Sequence, residues 1–578
     1  MPPKRPLKRR GEDDDRRQSK KAGKNKREVT YDTYDEALDG GVEMEEKGER
    51  YRDGDKAQRF YERAIELYEK ALGFHQTYDA AYNQARALYT ISTSFLLPPT
   101  SIKPLRRSID LYRLATTLTN SPLLRMDVAF NLSQSCSSLS DILEDLDSGN
   151  NVDEVRTLRE EARDILQEVM DGQEEYLKAT AEDNDAAELE EVVDEMESGA
   201  EEESMEVDES KLNSTEDDDG DEKEETFETH LPTPSTFIDT VLSLIDLHLT
   251  LWDSTPEPET PSEEEQLKVR SILDRANQIS PPGRQAELDL SEVKVLLSMD
   301  NIIWEIYKSQ ARPNMGSENT LEGAIAALSA ILGSLDVTPP EELTVRPEIL
   351  TILADTHTVV GNRMMFLNVH LPVGPSPLAQ QAWYHFSQAT THLGTALDLP
   401  TSASTPKEFK PSVLSSLSKA SLSRARLAPV HDTAKRNVVQ LLDNASTYAA
   451  RAGEGLGWKF LRLEGSAPPA STGLSLSIGG IGGSDTPWQA GWDTELLARN
   501  IVLQQMRTCL YASKLDLLPE ESRERYRSGI EKSLKKLKSL IGERALESKD
   551  VERFLAEIED DEGRLEDRER GWWSDTFA

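Results

Sequence analysis

The sequence predicts an all-α solenoid of stacked helix pairs, and three observations carry that prediction. The first is a recurring motif. Ala64-x3-Tyr68-x2-Ala71 lies inside ERAIELYEKAL, and Ser108-x3-Tyr112-x2-Ala115 follows inside RRSIDLYRLAT. Ala382-x3-Phe386-x2-Ala389 repeats it inside QAWYHFSQAT. Positions i, i+4 and i+7 share one helical face, so small residues flank an aromatic there. The small residues let a neighbouring helix approach, and the aromatic fills the space between. The second observation is that the preceding segments repeat too. Asp79-Ala80-Ala81-Tyr82-Asn83 returns as Asp127-Val128-Ala129-Phe130-Asn131, 48 residues on, and a small residue (Ala85, Ser133) follows three places after each aromatic. The third is compositional: Leu, Ala, Glu and Ser dominate, and runs of alternating β-branched residues are scarce. A period of about 45 residues suits stacked helix pairs, an architecture that binds partners rather than catalysing reactions.

A further first-type segment, Leu353-Ala354-Asp355 followed by Gly361-Asn362, precedes the Ala382 motif. Aliphatic versions of the motif are Ala162-x3-Leu166-x2-Val169, Val269-x3-Leu273-x2-Ala276 and Val438-x3-Leu442-x2-Ala445, with Ile530-x3-Leu534-x2-Leu537 less regular. At these residues the chain resembles the tetratricopeptide repeat (TPR) superfamily. There the first helix carries a bulky residue followed by a small one, and the second has the Ala/aromatic/Ala spacing. The resemblance implies a TPR-like solenoid whose concave face receives an extended peptide or a partner helix. The chain departs from the family pattern in its irregular spacing, longer than about 34 residues, in its mostly missing closing Pro, and in its long connections.

In order, residues 1–30 form a basic tail and 31–178 a block of TPR-like repeats; 179–235 are a disordered acidic insertion. Repeats resume over 236–462, a Gly/Ser/Pro-rich loop fills 463–492, C-terminal helices fill 493–567, and 568–578 are a tail. Pro98-Pro99 and Pro122 punctuate the first block, because Pro ends one helix and opens another. Ile238, Val241, Leu242, Ile245 and Leu249 make an apolar stripe after Thr236. Helices follow at Gln266–Ile279 and Leu288–Gln310, and Thr320 caps the next, with Glu322 in its first turn. Further helices cover Glu348–Val369, Leu378–Leu397, Pro411–Arg426 and Thr433–Ala452, then Glu495–Leu517, Glu521–Ile541 and Ser548–Asp567.

Charge supplies the second clue. Of the formal net charge of −40, residues 182–228 contribute −22, from 24 acids against Lys211 and Lys223. Runs such as Glu201-Glu202-Glu203 and Glu216-Asp217-Asp218-Asp219 repel one another too strongly to share a packed surface. A flexible polyanion can shield a basic protein without fixed geometry. This arm is therefore a client-binding arm, a cover for the chain's own basic tail, or a spacer. Residues 1–28 carry 12 Lys or Arg against 5 acids. Lys4-Arg5 with Lys8-Arg9-Arg10, and Arg16-Arg17 with Lys20-Lys21, resemble nuclear localisation signals, which places the chain in the nucleus or shuttling with the cytoplasm. Weak RNA affinity and simple solubility are the rival readings of this tail.

No catalytic constellation is visible, and the chain is expected not to be an enzyme. Gly479-Gly480-Ile481-Gly482-Gly483 lacks the Lys-Ser/Thr of a phosphate-binding loop and reads as a linker. His385 and His392 share a helical face without an acidic or thiol partner at ligand spacing, so they read as half-buried interhelical residues. Cys136 and Cys509 are too few for a disulfide framework, and Cys509 reads as a packed apolar residue. No cofactor, metal or membrane contact is expected.

The candidate partner-binding residues are Asn83, Arg86, Asn131 and Gln134 in the groove, with the acidic runs of the arm. Asn83 and Asn131 fall where TPR proteins that hold chaperone C-termini grip a carboxylate. The companion basic residues of such a clamp are missing, which argues against one. The combination of TPR-like pairs, an acidic interruption and nuclear-type signals resembles histone chaperones of the NASP type. That resemblance implies a nuclear adaptor or chaperone for a basic client such as histones or ribosomal proteins, with an import receptor as a second partner. The alternative is a scaffold subunit in RNA processing, ribosome biogenesis or translation control, its arm a spacer.

Overall fold

The structure, a computed structural model, describes residues 31–197, 231–463 and 491–577, apart from short breaks within those spans. Helices follow one another in antiparallel pairs. α1 (Tyr34–Tyr51) packs on α2 (Gly54–Phe74), α3 (Tyr78–Ser94) on α4 (Ile102–Leu118), and α5 (Pro122–Leu146) on α6 (Val152–Glu197). The pattern continues with α7 (Pro234–Asp253) and α8 (Glu263–Ile279), then α9 (Gln285–Gln310) and α10 (Glu318–Ser334). α11 (Glu342–Asn368) pairs with α12 (Pro377–Asp398), α13 (Phe409–Arg426) with α14 (Asp432–Gly455), and α15 (Trp492–Lys514) with α16 (Glu520–Ser539). α17 (Ser548–Glu562) and α18 (Asp567–Phe577) close the described chain. This is an all-α helical-repeat solenoid.

Every copy of the small/aromatic/small motif falls on the second helix of a pair, where its central side chain fills the gap to the first helix. Tyr68, Tyr112 and Phe386 are all but fully buried. The matching first-helix positions are small because nothing larger fits. A Cβ at Gly41 would lie 2.4 Å from the Tyr68 ring, and one at Gly361 would lie 2.6 Å from the Phe386 ring. In the second pair Ser108 donates a hydrogen bond to the Ala85 carbonyl at 2.7 Å, so the two backbones approach closely there as well. α10 carries the pattern too, as Ala324-x3-Leu328-x2-Ile331, all buried. That copy is hidden in the sequence by the surrounding apolar run AIAALSAIL.

Consecutive pairs stack in register, first helix beside first and second beside second. On the second-helix layer Arg113 of α4 holds Glu161 of α6 with two bonds of 2.8 Å, and Arg106 holds Glu154, each pair 48 residues apart. Arg275 of α8 continues the ladder to Asp171 and Glu174 of α6. On the first-helix layer Asn131 donates to the Tyr82 hydroxyl at 3.2 Å, and Lys294 of α9 bridges Asp246 of α7 and Glu348 of α11.

The chain then folds back through its own interior. α17 packs on α11 and α15, both first helices, and buries Val551, Phe554, Leu555 and Ile558 against them. The first-helix layer is therefore the inside of the coil, and α17 occupies its C-terminal half. Trp573 of α18, expected in a tail, is fully buried beside Phe554 at 6.0 Å between ring centres. Other boundaries also shift. α6 continues to Glu197, past the expected end at 178, through a stretch rich in Ala, Leu and Glu that favours helix. Thr320 lies inside the first turn of α10 rather than capping it. α8 begins earlier than expected because Ser262 and Glu265 form a capping box.

The glycine fit is directly testable. Gly41→Val places branched carbons where the Tyr68 ring sits, and overpacking of this kind costs about 1–3 kcal/mol. Chemical denaturation followed by circular dichroism should show a lowered midpoint with native helix content retained.

Candidate partner-binding groove

The groove candidates gather on the first-helix layer. Asn83 is half-buried on α3, while Asn131 and Gln134 are half-buried on α5. Asn131 donates to the Asp127 carbonyl at 2.9 Å as well as to Tyr82, which fixes it between two first helices. Gln134 lines a cleft of about 220 Å³ between α5, α6 and α7, with Ser133, Ser137, Asp141, Asp246 and Thr250 around it. Arg86 is committed within the fold. Its Nε donates to Glu45 at 3.0 Å, and the Tyr68 hydroxyl donates to the same carboxylate at 2.7 Å. Glu45 is 4% exposed, so Arg86 is the countercharge of a buried acid. The acidic runs at 201–203 and 216–219 and the basic residues Lys4, Arg5, Lys8, Arg9, Arg10, Arg16, Arg17, Lys20 and Lys21 lie outside the described residues.

What the sequence did not single out is a set of aspartates along the inner layer. Burial pushes Asp145 of α5 up to about 6, opposed by Arg553 and by the Trp492 hydrogen bond and reinforced by Asp141 and Glu144. Burial also pushes Asp253 of α7 up to about 6, with a hydrogen bond from Ser298 opposing it. Asp246 is raised by burial, Lys294 notwithstanding, and Asp493 of α15 is raised by burial together with Asp141 and Glu408. Asp246, Asp253 and Asp493 nevertheless touch solvent. Water reaches these carboxylates, yet the protein packed around each disfavours its charged form. Each would be stabilised in its charged form by a nearby cation. Nothing in sequence marks these positions, since an Asp on an outward face reads as ordinary solubility.

Three histidines meet between α11 and α12, His385 and His392 being joined there by His357, 5% exposed. The Nδ1 atoms of His357 and His385 are 2.9 Å apart, and the His392 ring stacks on His357 at 5.6 Å. Burial, then its two neighbours, push His357 down to about 4, and burial lowers the other two. Among the described residues no group of three or more His, Cys, Asp or Glu is arranged to hold a metal ion. Cys136 and Cys509 are buried, and burial pushes both thiols up to about 12, away from nucleophilic use. No helix among the described residues is long and apolar enough to cross a membrane.

No protein-family model and no curated protein matches the sequence. Among solved structures the chain is similar to the S. pombe nuclear import adaptor Nro1, at 14% identity over 73% of this chain and 95% of that one, with a TM-score of 0.26. A second structure of Nro1, described as a hypoxic regulator of sterol synthesis and a nuclear import adaptor, aligns at 13% identity over 73% and 89%, TM-score 0.25. A circular tandem repeat protein with novel repeat topology aligns at 13% identity over 91% and 96%, TM-score 0.26. Likeness at this level carries no argument about activity or partners.

Two outcomes follow from the geometry. Arg86→Ala strands Glu45 with only the Tyr68 hydroxyl, which costs about 1–3 kcal/mol of stability by denaturant titration. Because the folded His357 titrates below its free value, its contribution is present above about pH 6.5 and lost as pH falls through about 4. A drop of at most about 3 kcal/mol follows from that shift, and His357→Gln should flatten this part of the stability–pH curve.

Proposed function

We propose that the protein is a non-enzymatic adaptor or chaperone whose inner helical face holds a basic segment of a protein client, with histones and ribosomal proteins as the client class. The observation that carries this reading is the set of first-helix acids Asp145, Asp246, Asp253 and Asp493, each raised by burial, with Arg553 and Lys294 beside only the first two. A Lys- or Arg-rich segment laid along these acids supplies the missing positive charge. The acidic insertion adds long-range attraction, raising encounter rates and local client concentration. In this reading the pairs are TPR-like, the arrangement of repeats and acid is analogous to that of NASP-type chaperones, and the basic tail is an import signal read by a nuclear receptor.

The scaffold reading has one observation in its favour. α17 already packs an amphipathic helix against the inner layer, so that face accepts a partner helix by apolar contact. The two readings separate by salt. Binding of a fluorescent Lys/Arg-rich peptide should fall steeply between low and physiological ionic strength if these acids and the arm hold it. Asp246→Asn with Asp253→Asn should weaken it about two- to fivefold per charge, as rim ion pairs of about 0.5–1 kcal/mol predict. Deleting residues 198–230 should slow association. A partner recovered from nuclear extract with equal yield on the deleted and intact protein, and retained at high salt, would instead assign the function to apolar groove contacts.

A further inference from the structure

The solenoid is closed across its inner face by a small seam. Trp492, at the start of α15, donates from its indole Nε1 to Asp145 at the end of α5 at 2.9 Å, a contact spanning 347 residues. Its ring, 6% exposed, is inserted in the apolar cluster of the N-terminal pairs. Arg553 of α17 donates to the Asp145 carbonyl at 3.4 Å and lies 3.7 Å from its carboxylate. Gly491 touches the end of α3 so closely that a Cβ there would lie 2.0 Å from the Thr93 carbonyl oxygen.

We propose that this seam is a latch, which holds the solenoid curled over its inner face and opens to admit the partner segment. The proposal rests on the basic-client reading above. In a solenoid each pair contacts only its neighbours, so curvature is the sum of small rotations between pairs. A contact between the third pair and the eighth fixes that sum for every pair between them. The seam's chemistry also makes it open to competition. Arg553 presents to Asp145 the same guanidinium that a basic client would present. A client cation that pairs with Asp145 displaces Arg553 and leaves Trp492 and the Gly491–Thr93 contact as the remaining ties. Glu144 and Glu408 add negative charge around the seam, while Arg159 is already held by Asp141 and Glu144.

Gly491→Val is a clean wedge. The residue has φ −65° and ψ 176°, which any L-residue adopts, so the effect is steric and falls on the Thr93–Ser94 backbone. Arg553→Ala removes the internal cation while sparing the α17 apolar face. Small-angle scattering on the full chain should show a larger radius of gyration for Gly491→Val at unchanged helical circular dichroism. Stopped-flow association of a Lys/Arg-rich peptide should accelerate for both variants. If the open form is about 10–30% populated in the wild type, full opening raises the observed rate roughly three- to tenfold. An unchanged radius and unchanged rates in folded variants overturn the latch. A wider coil with unchanged peptide rates overturns its gating role. Absence of peptide binding by wild type and both variants overturns the basic-client reading, and the scattering result then judges the closure alone. If Gly491→Val fails to fold, the Arg553→Ala rate decides.

Discussion

The structure depends on one steric agreement, between a residue with almost no side chain on the first helix of a pair and a bulky one on the second. Gly41 with Tyr68 and Gly361 with Phe386 show it most directly, because each glycine leaves space that the opposing ring occupies. The ring fixes both the separation and the rotation of the pair. It also determines which faces remain for stacking, and so places Arg113 opposite Glu161 and Tyr82 opposite Asn131 in the neighbouring pair. Buried polar groups then follow the packing. Tyr68 cannot sit in the core without a partner for its hydroxyl, and Glu45 supplies one; Glu45 cannot sit there charged without a cation, and Arg86 supplies that.

The interlock was readable from sequence because it is local: i, i+4 and i+7 on one helix, repeated. Where the local signal is weaker, the physical reasons are specific. In α10 the motif is embedded in a nearly continuous run of Ala, Leu and Ile, so no single face stands out. α18 contains two tryptophans among charged residues, and only its fold-back onto Phe554 makes a core residue of Trp573. The surroundings of the candidate groove residues are only partly legible in sequence. Asn83, Asn131 and Gln134 could be placed by alignment of the repeats, but the role of Arg86 depends on Glu45, forty-one residues away on another helix. The crowding of Asp145, Asp246, Asp253 and Asp493 arises only when their helices pack against distant parts of the chain. Their distinction lies in what surrounds them, and residue type alone carries none of that.

On the second-helix layer Arg106, Arg113 and Arg275 pair with acids of the neighbouring helices. Around α7 and α9 of the first-helix layer cations are scarcer than carboxylates: Lys294 is shared between Asp246 and Glu348, and Asp253 accepts from Ser298. Such an imbalance costs stability, since burial disfavours each uncompensated carboxylate.

The same imbalance bears on the shape of the coil. An open solenoid gains little from bringing its third and eighth pairs together, because acids from both meet there: Asp141 and Asp145 on one side and Asp493 on the other, with Glu408 of the seventh pair beside it. The repulsion is offset by burial of Trp492, by the guanidinium of Arg553 at Asp145 and by that of Arg499 over the Trp492 ring. Closing the coil thus sets apolar burial and these internal cations against repulsion of like charge. An added cation at that point strengthens neither arm of the closure but relieves the repulsion that resists it, or replaces Arg553 and frees α17 from α5. Which of these prevails depends on whether the incoming charge fits beside Arg553 or only in its place. With the Asp145 carboxylate already engaged by the indole and the guanidinium, replacement is the outcome the geometry favours.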